Sequence, residues 1–349
     1  MDVGAPPKHL QFTDNRGRAH DLPLFMPVYQ PRGPVFQLAE QDRAITIDGL
    51  IINAFFLYKQ RELRRRLTTE ISLAEFVGFD GLISTDSGAF QGFTRTLYLK
   101  NSDIVRFQDR IGSDIIAPLD LVTPPGDSRT TAQGKLDATN KRIREALALV
   151  EGGIVAGVQQ GGRFLDLRER SIAALMEMEV RYVAIGSLVP FFNKNHDLAF
   201  AGAVIRKARE IAGPALPMHV YGAGDPAELP FFVRLGANVF DSASYGHYAA
   251  GGFYMTPYGA LRDPGPLVAG DYRCGCPECA RPGGFPAVFA DKERLTLHNL
   301  WTICHTVEEI RRMVRTQGAL DRYLNQILEI HTAWFPESRL AASWNELAQ

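Results

Sequence analysis

Residues 152–188, GGIVAGVQQGGRFLDLRERSIAALMEMEVRYVAIGSL, contain the pattern that decides the fold. Two apolar runs, GGIVAGVQQ from residue 152 and VRYVAIGSL from residue 180, enclose a stretch with helical patterning at 165–180. Neither run alternates polar and apolar residues as a half-exposed antiparallel strand does, so both fit parallel strands covered by helices. The segment therefore predicts a strand–helix–strand unit of a parallel sheet.

The same alternation continues along most of the chain. The apolar runs are LPLFMPVYQ from 22, TIDGLIINAF from 46, FDGLISTDSG from 79, DIIAPLDLV from 114, GGIVAGVQQ, VRYVAIGSL, LPMHVYGAG from 216 and ANVFDSAS from 237. Helical patterning is clearest at 131–152, 165–180 and 197–213. Eight strands that alternate with helices over about 230 residues predict a closed (β/α)8 barrel, or TIM barrel. An open doubly wound sheet is the alternative, but no glycine-rich dinucleotide-binding turn follows the first strand.

Three cysteines and one histidine predict a metal site. Cys274, Cys276 and Cys279 form a C-x-C-x2-C motif, and His298 follows after 18 residues at the start of a predicted helix. Three thiolates and one imidazole complete a tetrahedral zinc shell and leave no position for water, so we expect structural zinc. The fourth cysteine, Cys304, is interpreted as a small buried hydrophobic residue.

The composition of the chain changes near residue 262. The segment from 262 to 301 is rich in proline, glycine and cysteine, and the chain after it has helical patterning almost to its end. We therefore predict a barrel domain at 1–262. Residues 263–349 are predicted to form an appended zinc-binding lobe with C-terminal helices that pack on the barrel.

The bulk composition is that of an ordinary globular protein, with 46% hydrophobic residues, 22% charged residues and a net charge of -1. Balanced charge predicts that any nucleic-acid contact comes from local patches. The basic stretches at 61–66 and 141–146 are interpreted as solvated helix faces. The N-terminal sequence lacks a signal-peptide pattern, and no apolar run approaches the about 18 residues of a membrane helix. We expect a soluble cytoplasmic protein without membrane contact.

Polar residues or bare backbone follow five predicted strands, and in a barrel such strand ends meet at one mouth. These residues are Asp86, Asp120, Gln160, Gly186 and Asp241. Burying an unpaired carboxylate is costly, so we expect Asp241 to face a cleft. A single strand-end aspartate can simply cap a helix, but the pair Asp86 and Asp241 suggests a nucleophile and a proton-transfer partner. A carboxylate that attacks an anomeric carbon forms a covalent glycosyl intermediate, as in retaining glycosidases.

These residues carry a resemblance to the tRNA guanine transglycosylases. DSGAFQ at 86–91 resembles the family motif D-S-G-G-F-Q, and DIVRFQDRIGSDIIAPLDLVTPP, VQQGGRFLDLRER, AIGSLVP, GAGDP and FDSASY follow in the family's order. The cysteine–histidine pattern completes a match that spans nearly the whole chain, from LPLFMPVYQP to His298. The segment from FDSASY to YMT resembles the archaeosine-type branch more than the queuosine type, whose nucleophile segment is closer to F-D-C-V.

The resemblance implies exchange of a guanine in a polynucleotide for a free 7-deazaguanine base such as preQ0, without backbone cleavage. It implies that Asp241 attacks C1′ of the target nucleotide and that Asp86 is the acid/base for the leaving and incoming bases. The implied substrate-binding residues are Asp120 for the amino and N–H edge of the base, Gln160 with the backbone of Gly186 and Ser187 for its carbonyl, Ser87, and Phe107 as a stacking ring. The target base must leave the stack to reach a barrel mouth, so flipping is expected. A homodimer is implied by the resemblance alone.

The sequence departs from the family pattern at three places. Ala89 replaces the second motif glycine, and Ser187 stands where the queuosine branch has glycine. The RNA-binding module of the archaeosine enzymes does not follow the predicted lobe in this sequence. The resemblance implies tRNA as the polynucleotide. Because the RNA-binding module is missing and the net basicity is weak, DNA, the substrate of the DNA-modifying relatives, is kept as the alternative. A non-catalytic accessory subunit is a third interpretation, which the presence of both Asp86 and Asp241 disfavours.

Overall fold

The computed structural model describes residues 11–31, 45–89, 99–193, 197–263, 265–269 and 272–348. The strands of this part of the chain are β1 (Gln11–Thr13), β2 (Ala19–Asp21), β3 (Leu24–Pro27), β4 (Gly49–Asn53), β5 (Leu82–Asp86), β6 (Ile115–Ile116), β7 (Ile154–Gln159), β8 (Tyr182–Ile185), β9 (Met218–Val220), β10 (Val239–Ser242), β11 (Tyr254–Thr256) and β12 (Gly259–Leu261). The helices are α1 (Ala54–Lys59), α2 (Arg61–Thr69), α3 (Leu73–Val77), α4 (Asn101–Arg110), α5 (Arg129–Leu147), α6 (Leu165–Glu177), α7 (Val189–Asn193), α8 (Leu198–Ala212), α9 (Leu229–Arg234), α10 (Ser244–Ala250), α11 (Gly265–Ala269), α12 (Pro277–Ala280), α13 (Gly284–Ala290), α14 (Lys292–Met313), α15 (Ala319–Trp334) and α16 (Leu340–Ala348). Each of the eight predicted apolar runs contains one strand of the same parallel sheet.

The main sheet has the strand order β3-β10-β9-β8-β7-β6-β5-β4. Its two edge strands also meet, because Val28, directly after β3, forms a parallel bridge with Ile51 of β4. The backbone N–H of Tyr29 donates to the carbonyl of Ile51 at 2.8 Å. The sheet is therefore nearly closed into a barrel with helices around it. The predicted (β/α)8 fold is confirmed over the open-sheet alternative.

Both faces of the strands are buried, which explains the continuous apolar runs in the sequence. Leu24 and Met26 of β3 point into a cluster inside the barrel, while Phe25 between them packs beneath the surrounding helices. In β10, Val239 likewise points into the barrel and Phe240 packs beneath the helices. Because successive side chains of a strand point to opposite faces, a barrel strand needs apolar residues at nearly every position.

A hairpin that the sequence analysis did not anticipate covers one end of the barrel. β1 and β2 pair antiparallel. Phe12 of β1 joins the interior cluster and lies edge-on to Tyr182. The side chain of Asn15 donates to the carbonyls of Gly152 and Gly153 at 3.0 and 2.7 Å. These glycines precede β7, so the hairpin closes the end at which the strands begin. The opposite end, where the strands finish, is the mouth.

Helix α14 is hydrogen-bonded to β11 and to the residue that precedes it. Asn299 of this helix accepts the backbone N–H of Met255 at 2.9 Å and donates to the carbonyl of Phe253 at 3.0 Å. Helical structure in the C-terminal part is confirmed by α14, α15 and α16. The division of the chain at residue 262 stays a prediction. Within the described ranges, no helix is both long enough and apolar enough to span a membrane.

Candidate active site at the mouth of the barrel

The mouth of the barrel brings together residues that the sequence analysis placed at strand ends. Asp86 is the last residue of β5 and Asp241 lies in β10. Asp120, Gln160 and Ser187 follow β6, β7 and β8. All of these strands run parallel in one barrel, so their ends share one face.

Asp86 is a half-buried carboxyl group with two donors. The side-chain amide of Asn53 donates to one oxygen at 2.9 Å, and the backbone N–H of Gly88 donates to the other at 3.0 Å. Burial, with the charges of Asp120 and Asp241, raises the pKa of Asp86 to about 6 although the Gly88 donor opposes the shift. A group with a pKa near neutrality can both release and accept a proton at physiological pH, which suits an acid/base.

Asp241 is held by one of its two carboxylate oxygens. Its Oδ1 accepts from Nε2 of His219 at 2.8 Å and from the backbone N–H of Gly222 at 3.1 Å. Among the described residues, no group donates to its Oδ2. Fixing one oxygen by two donors orients the carboxylate and leaves lone pairs on the other oxygen for a nucleophilic attack.

His219 is a site residue that the sequence analysis missed. It lies in the middle of β9 and is 1% exposed. The hydroxyl of Tyr182 lies 3.0 Å from its Nδ1. In the tautomer that donates from Nε2 to Asp241, Nδ1 accepts from the hydroxyl of Tyr182. The one available signal was a histidine in an otherwise apolar strand, LPMHVYGAG, next to the strand of Asp241 in space.

A second network joins three of the predicted base-binding residues. Gln160 donates from Nε2 to Asp120 at 2.5 Å, and its Oε1 accepts from the hydroxyl of Ser187 at 2.8 Å. The same hydroxyl accepts the backbone N–H of Thr123 at 2.9 Å. These bonds fix which end of the Gln160 amide faces Asp120. Burial raises the pKa of Asp120 to about 6, against the opposing effect of the Gln160 bond.

Ser187 and Ala89, the two departures from the family motifs, differ in backbone geometry. Ser187 has φ of 58°, in the left-handed region that favours glycine. The two hydrogen bonds of its hydroxyl help to hold this conformation. Ala89 is not among the described residues with positive φ, whereas Gly88 beside it has φ of 85°. The motif therefore needs glycine at 88, and alanine is tolerated at 89.

Ser87 and Phe107 make buried contacts within the protein. The hydroxyl of Ser87 donates to the carbonyl of Pro118 at 3.1 Å. The ring of Phe107 in α4 lies edge-on to Tyr58, with centroids 5.3 Å apart, and is 4% exposed. Their contacts with a base stay predictions.

The predicted metal ligands converge in the lobe. The ligand atoms of Cys274, Cys276, Cys279 and His298 all lie within 4.8 Å of one another. Nδ1 of His298 is 3.2 Å from the sulfur of Cys276 and 3.7 Å from each of the other two sulfurs. Nε2 of His298 lies 2.8 Å from the carbonyl of Met255 and donates to it, so Nδ1 is free to bind a metal. These four residues form a cluster that could hold a metal ion.

The distances in the cluster fit the chemistry of zinc. A tetrahedral site with bonds of about 2.3 Å to sulfur and about 2.0 Å to nitrogen separates its ligand atoms by about 3.5–3.8 Å. The sulfur–nitrogen distances of 3.2–3.7 Å are close to these values. Cys304 lies outside the cluster, half-buried on α14 against the main core.

The fold and the mouth together define a class of protein, a (β/α)8 barrel with an acidic active-site mouth and a Cys3His cluster in an added lobe. Carboxyl groups with pKa values near 6 at the mouth of such a barrel are typical of catalysis by proton transfer. A family model described as queuine tRNA-ribosyltransferase matches residues 9–333. The chain belongs to this family of pentosyltransferases, and the resemblance predicted from the motifs is confirmed.

Curated relatives support the same assignment. The chain is 33% identical over 321 residues to the tRNA-guanine(15) transglycosylase of Pyrococcus abyssi, covering 90% of this chain and 53% of the relative. It is 32% identical over 338 residues to the protein of that name from Methanopyrus kandleri, covering 95% and 72%. A third, from Methanosarcina mazei, is 32% identical over 316 residues, covering 89% and 63%. The chain thus spans about half to three quarters of the length of these relatives.

Proposed function

We propose that the chain exchanges a guanine in tRNA for a free 7-deazaguanine base of the preQ0 type through a covalent intermediate on Asp241. Oδ2 of Asp241 attacks C1′, and the bond between C1′ and N9 of guanine breaks as Asp86 gives its proton to the leaving base. The incoming base then gives its N9 proton to Asp86 and attacks C1′ of the ester, which releases Asp241. Atoms and charges balance without a cofactor.

The observation that carries this proposal is that two carboxylates at the same mouth have different surroundings. Asp241 is anchored through Oδ1 by His219 and Gly222, which leaves Oδ2 open. Asp86 has a pKa of about 6, raised mainly by burial, and so can carry a proton between the two bases. A fixed nucleophile beside a group that titrates near neutrality is the arrangement that two-step base exchange requires.

The network of Asp120, Gln160 and Ser187 complements the edge shared by guanine and 7-deazaguanine. That edge presents an amino group and a ring N–H as donors and a carbonyl oxygen as acceptor. An ionised Asp120 accepts from the two donors, while Gln160 and the backbone at Ser187 supply donors for the carbonyl. One pocket can therefore bind the leaving and the incoming base in turn.

The exchange assay uses radiolabelled guanine as its probe, because guanine is the leaving base and the reaction is reversible. The chain is incubated with labelled guanine and either unmodified tRNA or duplex DNA. We expect label in tRNA, which unlabelled preQ0 then displaces. Guanine 15 is the first position to map, since the curated relatives are named for it. Label in DNA alone would contradict the tRNA proposal and favour the DNA alternative.

Loss of exchange in Asp241→Asn distinguishes an enzyme from an accessory subunit. Asparagine has nearly the same shape but is a far weaker nucleophile, so we expect exchange to fall by at least about 10³-fold while the variant still folds. Undiminished exchange in Asp241→Asn would remove Asp241 from the reaction.

We also propose that the Cys3His cluster holds a structural zinc ion. Cys276 is fully buried and lies closest to His298. We expect Cys276→Ser to lose zinc and lower the melting temperature, since structural zinc contributes directly to folding. Cys304→Ser is the matched control and should keep its zinc. Equal zinc content in both variants would contradict the assignment.

A homodimer in the cytoplasm remains our expectation from the family resemblance. Light scattering of the purified chain tests the dimer, with a molar mass twice that of one chain as the expected result. A mass equal to one chain at micromolar concentration would contradict it.

A further inference from the structure

Arg168 carries a buried charge that the proposed reaction does not use. It lies in the first turns of α6 and is 1% exposed. No carboxylate of the described residues pairs with it, and burial lowers its pKa to about 9. A buried guanidinium without an acidic partner is costly and requires other hydrogen-bond acceptors.

The acceptors of Arg168 are backbone carbonyls from two loops at the mouth. Its Nε donates to Gly162 at 3.0 Å, and its Nη1 donates to Gly186 at 2.7 Å. A third contact, to the carbonyl of Ser187, is 3.5 Å long and at the limit of a hydrogen bond. Gly162 belongs to the loop that begins with Gln160. The guanidinium thus joins the Gln160 loop to the Ser187 loop.

The contact with Gly186 fixes the direction of the next peptide N–H. In a trans peptide, the carbonyl and the N–H point in opposite directions. With the carbonyl of Gly186 turned to Arg168, the N–H of Ser187 points away from it. Within the described part of the chain, this N–H has no hydrogen-bond acceptor. The positive charge behind the peptide also polarises it and strengthens the N–H as a donor.

The same peptide lies directly against the base-reading amide. A Cβ added to Gly186 would be 2.6 Å from Nε2 of Gln160. The backbone of Gly186 therefore packs closely against the side-chain amide of Gln160, which is bonded to both Asp120 and Ser187.

We propose that Arg168 is a positioning residue for base recognition, an inference that rests on the proposed base exchange. Its guanidinium turns the Gly186–Ser187 peptide so that the N–H of Ser187 meets the carbonyl oxygen of a bound guanine or 7-deazaguanine. Arg168 does not touch the base itself. It orients the Gly186–Ser187 peptide. Through Ser187 and Gln160 it also helps to position Asp120, the third residue of the proposed base-binding network.

Arg209 provides a matched control at the other end of the barrel. It lies in α8 and donates to the carbonyls of Gly236, Gly213 and Leu216 at 2.9, 2.7 and 2.9 Å. Burial lowers its pKa to about 10. These carbonyls precede β9 and β10, so Arg209 holds loops at the closed end. Its replacement removes a similar set of bonds far from the mouth.

The experiment compares Arg168→Met and Arg209→Met in guanine exchange on tRNA, each assayed well below its own melting temperature. We expect Arg168→Met to raise KM for radiolabelled guanine by about 10-fold or more, as for a lost charged-group contact. The Kd for tRNA should stay within about 3-fold of the wild-type value, since tRNA contacts remain. Arg209→Met should lower the melting temperature but leave both constants unchanged. An unchanged KM in Arg168→Met, or an equal rise in Arg209→Met, would overturn the inference.

A second pair of variants covers a failure of Arg168→Met to fold. Lysine keeps the charge but lacks the planar fork of donors that joins the carbonyls of Gly162 and Gly186, so Arg168→Lys should raise KM for guanine by at least about 3-fold. Arg209→Lys should not, and an unchanged KM in Arg168→Lys would also overturn the inference. Wild-type exchange separates the two proposals. If the wild type does not exchange guanine, the proposed function fails. If the wild type exchanges guanine and the Arg168 variants have an unchanged KM for guanine, only the role of Arg168 is refuted.

Discussion

The two ends of the barrel place aspartates in opposite surroundings. At the closed end, Arg18 forms ion pairs with Asp14 and Asp114, both at 2.8 Å. Arg16 pairs with Asp114 at 3.0 Å, and His20 lies 2.9 Å from Asp14. Burial opposes ionisation of Asp14, but hydrogen bonds from His20 and Arg18 lower its pKa to about 2. These ion pairs hold the hairpin on the barrel.

At the mouth, the described carboxylates have no arginine or lysine partner, although His219 lies 2.8 Å from Asp241. No lysine or arginine of the described residues forms an ion pair with Asp86, Asp120 or Asp241. Burial raises the pKa values of Asp86 and Asp120 to about 6. The difference shows that the fold can neutralise buried aspartates and does so where they are structural. Where Asp86 and Asp120 are left without an arginine or lysine partner, burial raises their pKa values, as the proposed proton exchange requires.

The largest expected effect comes from the same substitution at each end. Asp86→Asn removes the proton carrier and should lower kcat for guanine exchange by about 10²–10⁴-fold without loss of stability. Asp114→Asn leaves Arg16 and Arg18 without that partner and should lower the free energy of unfolding by about 1–3 kcal/mol. Its kcat should be normal while it is folded. Exchange kinetics and urea unfolding of both variants measure these effects. Loss of stability in Asp86→Asn together with loss of kcat in Asp114→Asn would contradict the difference between the two ends.

Asp120→Asn sharpens the role of the mouth in base binding. An ionised Asp120 accepts two hydrogen bonds from the base, so its loss should raise KM for guanine by about 10–100-fold. In the wild type, KM should also rise as pH falls below about 6, because protonation removes the acceptor. KM values for guanine, measured for the wild type and for Asp120→Asn over a range of pH, test both expectations. A wild-type KM that is flat between pH 5 and pH 7 would contradict them.

The two ends should also respond to pH with opposite signs. The folded pKa of Asp14, about 2, lies below the ordinary value of an aspartate, so its stabilising contribution is lost as pH falls from about 4 to about 2. The raised pKa values of Asp86 and Asp120 have the reverse effect. They favour the protonated folded state, and stability falls as pH rises from about 4 to about 6.

Melting temperatures at several pH values measure this difference. Asp86→Asn and Asp120→Asn should each raise the melting temperature at pH 8 by about 2–4 °C, because an unpaired buried charge has been removed. At pH 4 the two variants should melt like the wild type. Asp14→Asn should destabilise at pH 8. Equal destabilisation by all three variants would show that the two ends do not differ.

The smallest effect is expected from Ser187. Ser187→Gly removes the hydroxyl that bonds to Gln160 but also relieves the left-handed strain. We expect KM for guanine to rise by about 2–10-fold, the value of one neutral hydrogen bond. The melting temperature should change by less than about 2 °C. Ser187→Ala keeps the strain and loses the hydroxyl, so it should be less stable than Ser187→Gly. Equal stability of the two would contradict this reading of the backbone.

The sequence predicted the barrel because its strands are buried on both faces, and each residue from Leu24 to Met26 is apolar for that reason. It did not predict the β1–β2 hairpin. That hairpin has three-residue strands with one buried residue each, Phe12 and His20, and depends on Asn15 and Arg18 meeting distant loops. Local pattern is too weak to reveal an element held by tertiary contacts.

Local sequence pattern also reveals only part of the candidate site. Asp86, Asp120 and Asp241 stand out because charge follows an apolar strand. His219, Tyr182 and Arg168 act through partners far away in sequence, and their strands and helix have ordinary patterns. The left-handed backbone of Ser187 has no sequence signal, since serine rarely adopts it. Only the folded chain brings these features together.

Trapping the intermediate tests the central claim most directly. The chain is mixed with tRNA without free base, quenched with acid, and digested with nuclease and trypsin for mass spectrometry. We predict a nucleotide ester on Asp241, present in the wild type and absent from Asp241→Asn. An ester on another residue, or no adduct from a preparation that exchanges guanine when free base is added, would contradict the account.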